Sequence, residues 1–163
     1  MTETIRDAET GDYEALMRLN NAAVPAVNAL TVADFADFAA EADLFRVVGP
    51  VGAPDAVLIA LQPGRRYESQ NYRWFERQYD SFLYVDRVVV SGDRRGAGLG
   101  VALYEDFAAT GRRLGVARLT CEVNLDPPNP GSIRFHERLG FLPVGTQEAG
   151  GKQVQLMARD LSA

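Results

Sequence analysis

Val88-Val89-Val90-Ser91-Gly92-Asp93-Arg94-Arg95-Gly96-Ala97-Gly98-Leu99-Gly100 is the stretch on which the fold of this 163-residue chain turns. Three successive β-branched residues favour a strand. After the glycines, Leu99, Leu103 and Phe107 recur every four positions and make one apolar helix face. A strand therefore runs through a Gly-rich turn into a helix. Glycines tolerate positive φ and let a ligand approach the backbone closely. The first N–H groups of a helix have no intrahelical partners, and the helix dipole places partial positive charge there. Together these features make an anion site, and Arg94 and Arg95 add positive charge. Neither common nucleotide pattern fits. A Gly-x-Gly-x-x-Gly fingerprint would need glycine where Val101 stands, and Gly-Lys-Ser/Thr is absent. Taken alone, the glycines also suit an ordinary turn and helix start.

Upstream, the spacing of Tyr13, Leu16, Met17 and Asn20 predicts a helix over about 12–23, and Phe35 and Phe38 predict another over 31–40. Leu44–Val48 and Ala56–Leu61 read as a hairpin punctuated by Gly49-Pro50 and Pro63-Gly64. A short helix fits 71–78, and a strand runs from about Phe82 to Val90. Downstream, Gly111 and Gly115 are candidate stop signals for the helix that begins at Leu99. A strand over 116–124 and the turn Asp126-Pro127-Pro128 follow. The next helix opens at Asn129-Pro130, a good N-cap and first-turn pair. It closes at Gly140, with Phe141 expected to fold back on Leu139 or Phe135. Strands near 141–146 and 153–158 finish the chain. The order predicts an α+β domain around one sheet.

Composition bounds the partners. Hydrophobic residues make up 47% of the chain and charged residues 24%. Both values are those of ordinary globular domains. A formal net charge of −5 argues against a nucleic-acid surface. Cys121 is the single cysteine, so no internal disulfide forms, which suits a reducing compartment. The N-terminus, from Met1 to Asp7, has no apolar signal core, and no apolar run reaches the ~20 residues of a membrane span. A soluble, cytoplasmic protein is expected, with no membrane partner.

Arg95 to Gly100 resembles the signature Gln/Arg-x-x-Gly-x-Gly/Ala of the GNAT (N-acetyltransferase) superfamily, with Arg95 first, then Gly98 and Gly100. Asn129 followed by Phe135-His136-Glu137-Arg138-Leu139-Gly140-Phe141 is similar to the superfamily's Asn-x-x-Ala…Leu-Tyr-Glu-Lys-Leu-Gly-Phe. The resemblance covers about 82–158; the N-terminal half agrees only in element order. It implies a single domain over 1–163, with a mixed, mostly antiparallel sheet flanked by helices and strands splayed at the acetyl-CoA site. Acetyl-CoA is the implied cosubstrate, with no metal, and a homodimer is left open. The backbone around Arg95, Gly96, Ala97, Gly98, Leu99, Gly100 and Val101 would hold the pyrophosphate. Val88, Val89 and Val90 would pair with the pantetheine arm. Asn129 and His136 would meet its thiol end.

The implied reaction is direct attack of a primary amine, from a small molecule or a peptide, on the thioester. The amine has a pKa near ~10 and must lose a proton, while a donor should assist the thiolate. The N–H of Val89 or Val90 could stabilise the charge developing on the thioester oxygen. The superfamily's usual acid is a tyrosine, and His136 stands at that position. It is either the acid or a packed helix residue. Tyr84 and Tyr104 are reserves, Tyr104 reading better as packing. Asp86 and Glu122 are the candidate bases, because carboxylates inside an apolar sheet need an explanation; Asp86 could instead pair with Arg87. A lone strand cysteine such as Cys121 reads as core.

The stretch 65–79 gathers Arg65, Arg66, Arg73 and Arg77 with Tyr67, Tyr72, Trp74, Phe75 and Tyr79. Either Tyr72, Arg73 and Trp74 contact an amine that also bears a carboxylate, or the rings form a satellite core under solvated arginines. Two rival readings of the whole chain are a transferase for a longer acyl-CoA and a catalytically silent CoA-binding module.

Overall fold

The computed structural model describes residues 4–126 and 128–161. Met1, Thr2 and Glu3, at the head of the N-terminal segment read for a signal core, lie outside the described residues. So does Pro127, of the turn predicted after Asp126. Among the described residues the fold is mixed α+β, with seven strands in the order β1-β2-β3-β4-β5-β7-β6 and five α-helices. It resolves into two compact units, 1–61 with 85–110 and 62–84 with 111–163, so that β4 (Leu83–Val90) and α4 (Leu99–Leu114) each contribute to both. β4 pairs with β5 (Arg118–Asp126) in parallel, at Leu83–Leu119 and Tyr84–Thr120.

In the first unit, β1 (Ile5–Asp7) pairs antiparallel with β2 (Leu44–Val48), and β2 with β3 (Ala56–Leu61). All six residues of β3 are buried, as a continuous apolar run bounded by turn signals predicts. The strand β1 is too short to carry a periodicity. It is fixed instead by Arg6, whose Nη1 and Nη2 each donate at 2.9 Å to the buried carboxylate of Asp12. Burial pushes the Asp12 carboxyl up, but hydrogen bonds from Arg6 and from the Glu9 and Gly52 N–H groups outweigh it and hold it below its usual range.

Helix α1 (Tyr13–Asn21) buries Tyr13, Leu16 and Asn20. Helix α2 (Val32–Glu41) starts with a capping box. The Asp34 N–H donates to Thr31 Oγ1 at 3.2 Å and the Thr31 N–H to Asp34 Oδ2 at 2.8 Å. Arg87 of β4, 6% exposed, ties the connection between these helices to the sheet. It donates to Asp86 Oδ2 at 2.7 Å, to Asn20 Oδ1 at 2.8 Å and to Asn28 Oδ1 at 2.7 Å. Removing one partner from such a buried pair typically costs about 3–5 kcal/mol.

In the second unit, β5 and β6 (Leu142–Ala149) each pair antiparallel with β7 (Lys152–Asp160). Helix α3 (Gln70–Gln78) is capped by Ser69, whose side chain accepts from the Tyr72 N–H at 3.2 Å. Its Tyr72 and Phe75 pack on Phe82 and Tyr84 with ring centroids 5.7 to 6.1 Å apart. Asn129 caps α5 (Pro130–Arg138) by accepting from the Ser132 N–H at 3.3 Å. The helix ends in a Schellman motif. The Gly140 N–H donates to Glu137 O at 3.0 Å and the Phe141 N–H to His136 O at 3.1 Å, with Gly140 at φ 94°. Phe141 therefore folds back over the end of the helix and packs on His136, 5.7 Å between ring centroids.

Of the two candidate stops for α4, only Gly115 acts as one, left-handed at φ 74°. Gly111 lies inside the helix and is required by close approach. A Cβ there would stand 2.8 Å from Leu119 Cδ2, 3.0 Å from Leu161 Cδ1 and 3.3 Å from Val116 Cγ2. Gly111→Ala should therefore lose about 1–2 kcal/mol net, overpacking outweighing the gain in helix propensity. Urea denaturation should show a lower midpoint at unchanged m-value; equal or greater stability would contradict the packing account.

Candidate active site

The Gly-rich turn belongs to the first unit. After β4, a single 3-10 turn over Gly92–Arg94 leads to Gly96 at φ 82° and Gly98 at φ 80°. A Cβ on either glycine would meet no heavy atom within 4 Å. Both therefore face open space and owe their identity to the backbone conformation. The first intrahelical bond of α4 runs from the Ala102 N–H to Gly98 O at 3.0 Å. That leaves the N–H groups of Leu99, Gly100 and Val101 ahead of it. Leu99, Leu103 and Phe107 are buried and anchor the helix, while Val101 is 40% exposed beside the turn. The side chains of Arg95 and Ala97 are exposed. Arg94, expected to add free positive charge, is paired instead: Nη1 donates to Asp55 Oδ2 at 2.9 Å. The Ser91 N–H bonds Asp55 O at 2.7 Å, so Asp55 fastens the turn twice.

Val88 and Val90 are half-buried and Val89 is buried, the alternation of a strand. Asp86 shares their strand, and its carboxylate is engaged by the neighbouring guanidinium; the two side chains are 5% and 4% exposed. The ion pair with Arg87 that the sequence offered as one explanation of Asp86 is thus present. Tyr104 is buried, with its ring edge-on to Phe107 at 5.7 Å.

In the second unit, Tyr84 and Glu122 come together across the parallel pair: the Tyr84 hydroxyl donates to Glu122 Oε1 at 3.0 Å. The Tyr84 ring is fully buried against Phe75 and Tyr72, so packing aims its hydroxyl. Thr120, in register with Tyr84, lies two residues before Glu122 on the same face of β5. Cys121 faces the opposite way. Burial, with the Glu122 charge adding to it, pushes its thiol well above the ordinary value. That suits a core residue and not a nucleophile.

His136 sits in the last turn of α5, 7% exposed, with its ring edge-on to Phe135 and Phe141. Nδ1 is 2.7 Å from Ser132 O, so Nδ1 carries the hydrogen. In the neutral ring Nε2 is then an acceptor. Burial lowers the imidazole pKa below its ordinary value, against a raising contribution from the Ser132 carbonyl. These facts favour the neutral form, the opposite of what a proton donor at Nε2 requires. Asn129 is exposed, its side-chain oxygen committed to the cap.

The three predicted acceptor contacts fall in different surroundings. Tyr72 is fully buried; its hydroxyl accepts from the Arg65 N–H at 3.0 Å and donates to Gln62 O. Trp74 lies against Gly145, where a Cβ would come within 2.8 Å of the indole Cζ2. Arg73 is exposed and paired with Glu68 at 2.8 Å. The satellite core that the sequence left open accounts for Tyr72 and Phe75. Arg87, whose grip on Asn20 and Asn28 shapes the first unit, entered the sequence reading only as a partner for Asp86. The Asp86-Arg87 pair set between Val85 and Val88 in an otherwise apolar strand was the available signal.

Residues 69–141 match the model of the Acetyltransferase (GNAT) family. No curated protein matches the sequence. The fold is similar to that of Ard1 from Thermoplasma volcanium, 19% identical, with all of both chains covered and a TM-score of 0.80. It is also similar to the ribosomal-protein-S18-alanine N-acetyltransferase from Escherichia coli, 23% identical over 99% of this chain and 96% of that one, TM-score 0.75. A third similar structure is yncA, a putative acetyltransferase from Salmonella typhimurium with its cofactor acetyl-CoA, 19% identical over 99% and 95% of the chains, TM-score 0.72. Residues 69–141 thus match the GNAT acetyltransferase family across both sequence signatures, and the chain shares the mixed α+β fold of these structures.

Proposed function

We propose that the chain is a cytoplasmic, single-domain acyltransferase that moves an acetyl group from acetyl-CoA to a primary amine by direct attack. The observation that carries this reading is the turn itself. Two glycines at positive φ face open space ahead of the uncapped N–H groups of Leu99, Gly100 and Val101. That is the donor set a pyrophosphate needs. Arg95, exposed and next to it, adds the charge that Arg94, held by Asp55, does not. Val88 to Val90 would present backbone groups to the pantetheine arm, and Asn129 and His136 would line its thiol end. Acetyl-CoA supplies the activated carbonyl carbon and the thiolate leaving group.

Glu122 is the better-placed base. Its Oε1 is held by a neutral phenol, whereas Asp86 is tied to a guanidinium. The Asp86 carboxylate is thereby committed to the network that Arg87 builds with Asn20 and Asn28. Glu122 would take the proton of the incoming ammonium, directly or through water, with Tyr84 fixing the orientation of its carboxylate. His136 then acts as a neutral wall for the thiol end and not as the acid. The acceptor is a small molecule or a peptide amine. The name of the similar Escherichia coli structure makes a peptide α-amine the first compound to try. Arg73 and the outer edge of Trp74 are what remains of the expected acceptor wall. The silent-module reading draws support from the neutral His136, and an amine-dependent release of CoA decides between the two.

Acetyl-CoA at 100 times its Kd should stabilise the protein by about 2.7 kcal/mol, and Gly98→Glu, which forces a side chain and a negative charge into the turn, should abolish the thermal shift. A full shift in that variant would remove the pyrophosphate assignment. Glu122→Gln should lower kcat by about 10²–10⁴ near neutral pH, with part of the loss recovered at high pH where the amine is already neutral; a loss that does not ease with pH would exclude Glu122 as base. His136→Phe should leave kcat within about tenfold, because a ring that is already neutral at Nε2 has no proton there to donate. The same variant checks the buried imidazole. The folded ring takes up its proton only at a lower pH than the ordinary histidine does. Below about 6.5 the unfolded chain binds that proton first, so His136 costs stability as the pH falls through this window. His136→Phe should therefore gain stability relative to the wild type between pH 7 and pH 5 in urea titrations; a pH-independent difference would contradict the neutral buried histidine.

A further inference from the structure

The first residue of β5 and the last residues of β7 lie side by side in the second unit, with Arg118 opposite Asp160 and Leu119 opposite Arg159. A cavity of about 610 Å³ lies here. Leu142 and Val144 of β6 and Ala158 of β7 give it apolar walls, and Leu142 is 67% exposed. Small-molecule sites commonly have volumes of about 300–1,000 Å³, mostly apolar with a few convergent polar groups.

The polar groups are out of balance. Arg118 is rigidly held: its guanidinium carbon stands 4.1 Å from the centroid of the Tyr79 ring and Nη1 donates to Ser81 O at 2.8 Å. Its ion pair with Asp160 is long, 3.8 Å from Nε to Oδ1, and the Asp160 side chain is 76% exposed. The side chain of Arg159, a half-buried residue, has no ion pair or hydrogen bond among the described residues. Its stem runs past Gly140, with Cδ 3.5 Å from where a Cβ would be. The Tyr79 hydroxyl also has no hydrogen-bond partner among the described residues. Arg118, Arg159 and Tyr79 thus line a cavity with one loosely engaged acid, in a chain whose net charge is −5. Guanidinium groups take carboxylates with paired, charge-assisted donors.

We infer that this cavity is a second ligand site, and that its ligand is a small organic monocarboxylate. The carboxylate meets Arg118 and Arg159, the Tyr79 hydroxyl adds a donor, and the carbon body covers Leu142, Val144 and Ala158. Inorganic phosphate matches the charge but not the apolar walls; a neutral amide matches the walls but not the charge. The site is apart from the groups proposed for chemistry. Arg118 precedes Glu122 by four residues on β5, about 13 Å at the rise of a strand, and the buried Thr120 stands between them. Occupancy should therefore stabilise the protein without blocking acetyl-CoA.

The test uses the full chain, with benzoate and butyrate as probes and benzamide, butyramide and inorganic phosphate as comparators. Thermal shift and isothermal titration are read with and without saturating acetyl-CoA. Both carboxylates should give saturable stabilisation that acetyl-CoA does not displace, and the amides and phosphate should give none. Arg159→Gln, at a side chain with no hydrogen bond or ion pair to lose, should fold normally and weaken benzoate at least about tenfold. Leu142→Asp, at an exposed position, should weaken it similarly, and both variants should keep the wild-type response to acetyl-CoA. No saturable response, an equal response to benzamide or phosphate, undiminished binding in Arg159→Gln, or displacement by acetyl-CoA would each overturn the assignment.

Discussion

A guanidinium buried in the middle of a strand governs much of this structure. Arg87 sits in β4 with 6% of its surface exposed. A charge taken that far from water must be fully partnered. Asp86 supplies the opposite charge, and Asn20 and Asn28 supply oxygens from α1 and from the segment that follows it. The end of α1 and the path of residues 22–30 are thus tied to one point of the sheet. The segment they hold carries Ala22, Ala23, Val24, Pro25 and Ala26, which have no polar side chains of their own to anchor it. The same strand then runs on through Val88–Val90 into the Gly-rich turn, so a single electrostatic requirement fixes both the helical cover of the first unit and the strand that leads to the turn.

The glycines divide according to what each location forbids. At Gly96, Gly98 and Gly140 the constraint is conformational, with φ values of 80° to 94°. Such values are strained for side-chain-bearing residues. At Gly111 and Gly145 it is contact, because a Cβ would run into Leu119 or into the Trp74 indole. Among the described residues, only Gly96 and Gly98 combine a left-handed backbone with open space at the start of a long helix. That combination, not glycine content, distinguishes this turn from a C-cap or a packing notch.

The titratable groups of the candidate site are sorted by environment. Burial raises the Cys121 thiol and lowers the His136 imidazole, which leaves both neutral near pH 7. Glu122 keeps a phenol as hydrogen-bond partner and Asp86 keeps a guanidinium. Two carboxylates that look interchangeable in sequence, each alternating with an aromatic or polar residue on a predicted strand, thereby acquire different partners. The first is held by the Tyr84 hydroxyl, and the second belongs to the buried network around Arg87.

Local periodicity and punctuation determined the elements. The strands at 44–48 and 56–61, the helix opening at Leu99, the Asn129-Pro130 start and the Gly140 end of α5 follow from side-chain spacing, caps and turn residues within a few positions of one another. The Gly-rich turn was legible for the same reason: it is a local device of backbone and glycine. Tertiary structure decided whatever depends on partners distant in sequence. The three-residue β1 exists because Arg6 meets Asp12 across a turn; Gly111 continues a helix because Leu119 and Leu161 crowd it; Tyr72 is core because Phe82 and Tyr84 lie against it. The neutrality of His136 and the pairing of Glu122 with Tyr84, 38 residues apart, belong to the same class. Burial and long-range hydrogen bonds set protonation and availability, and neither is a property that a residue carries in its own sequence neighbourhood.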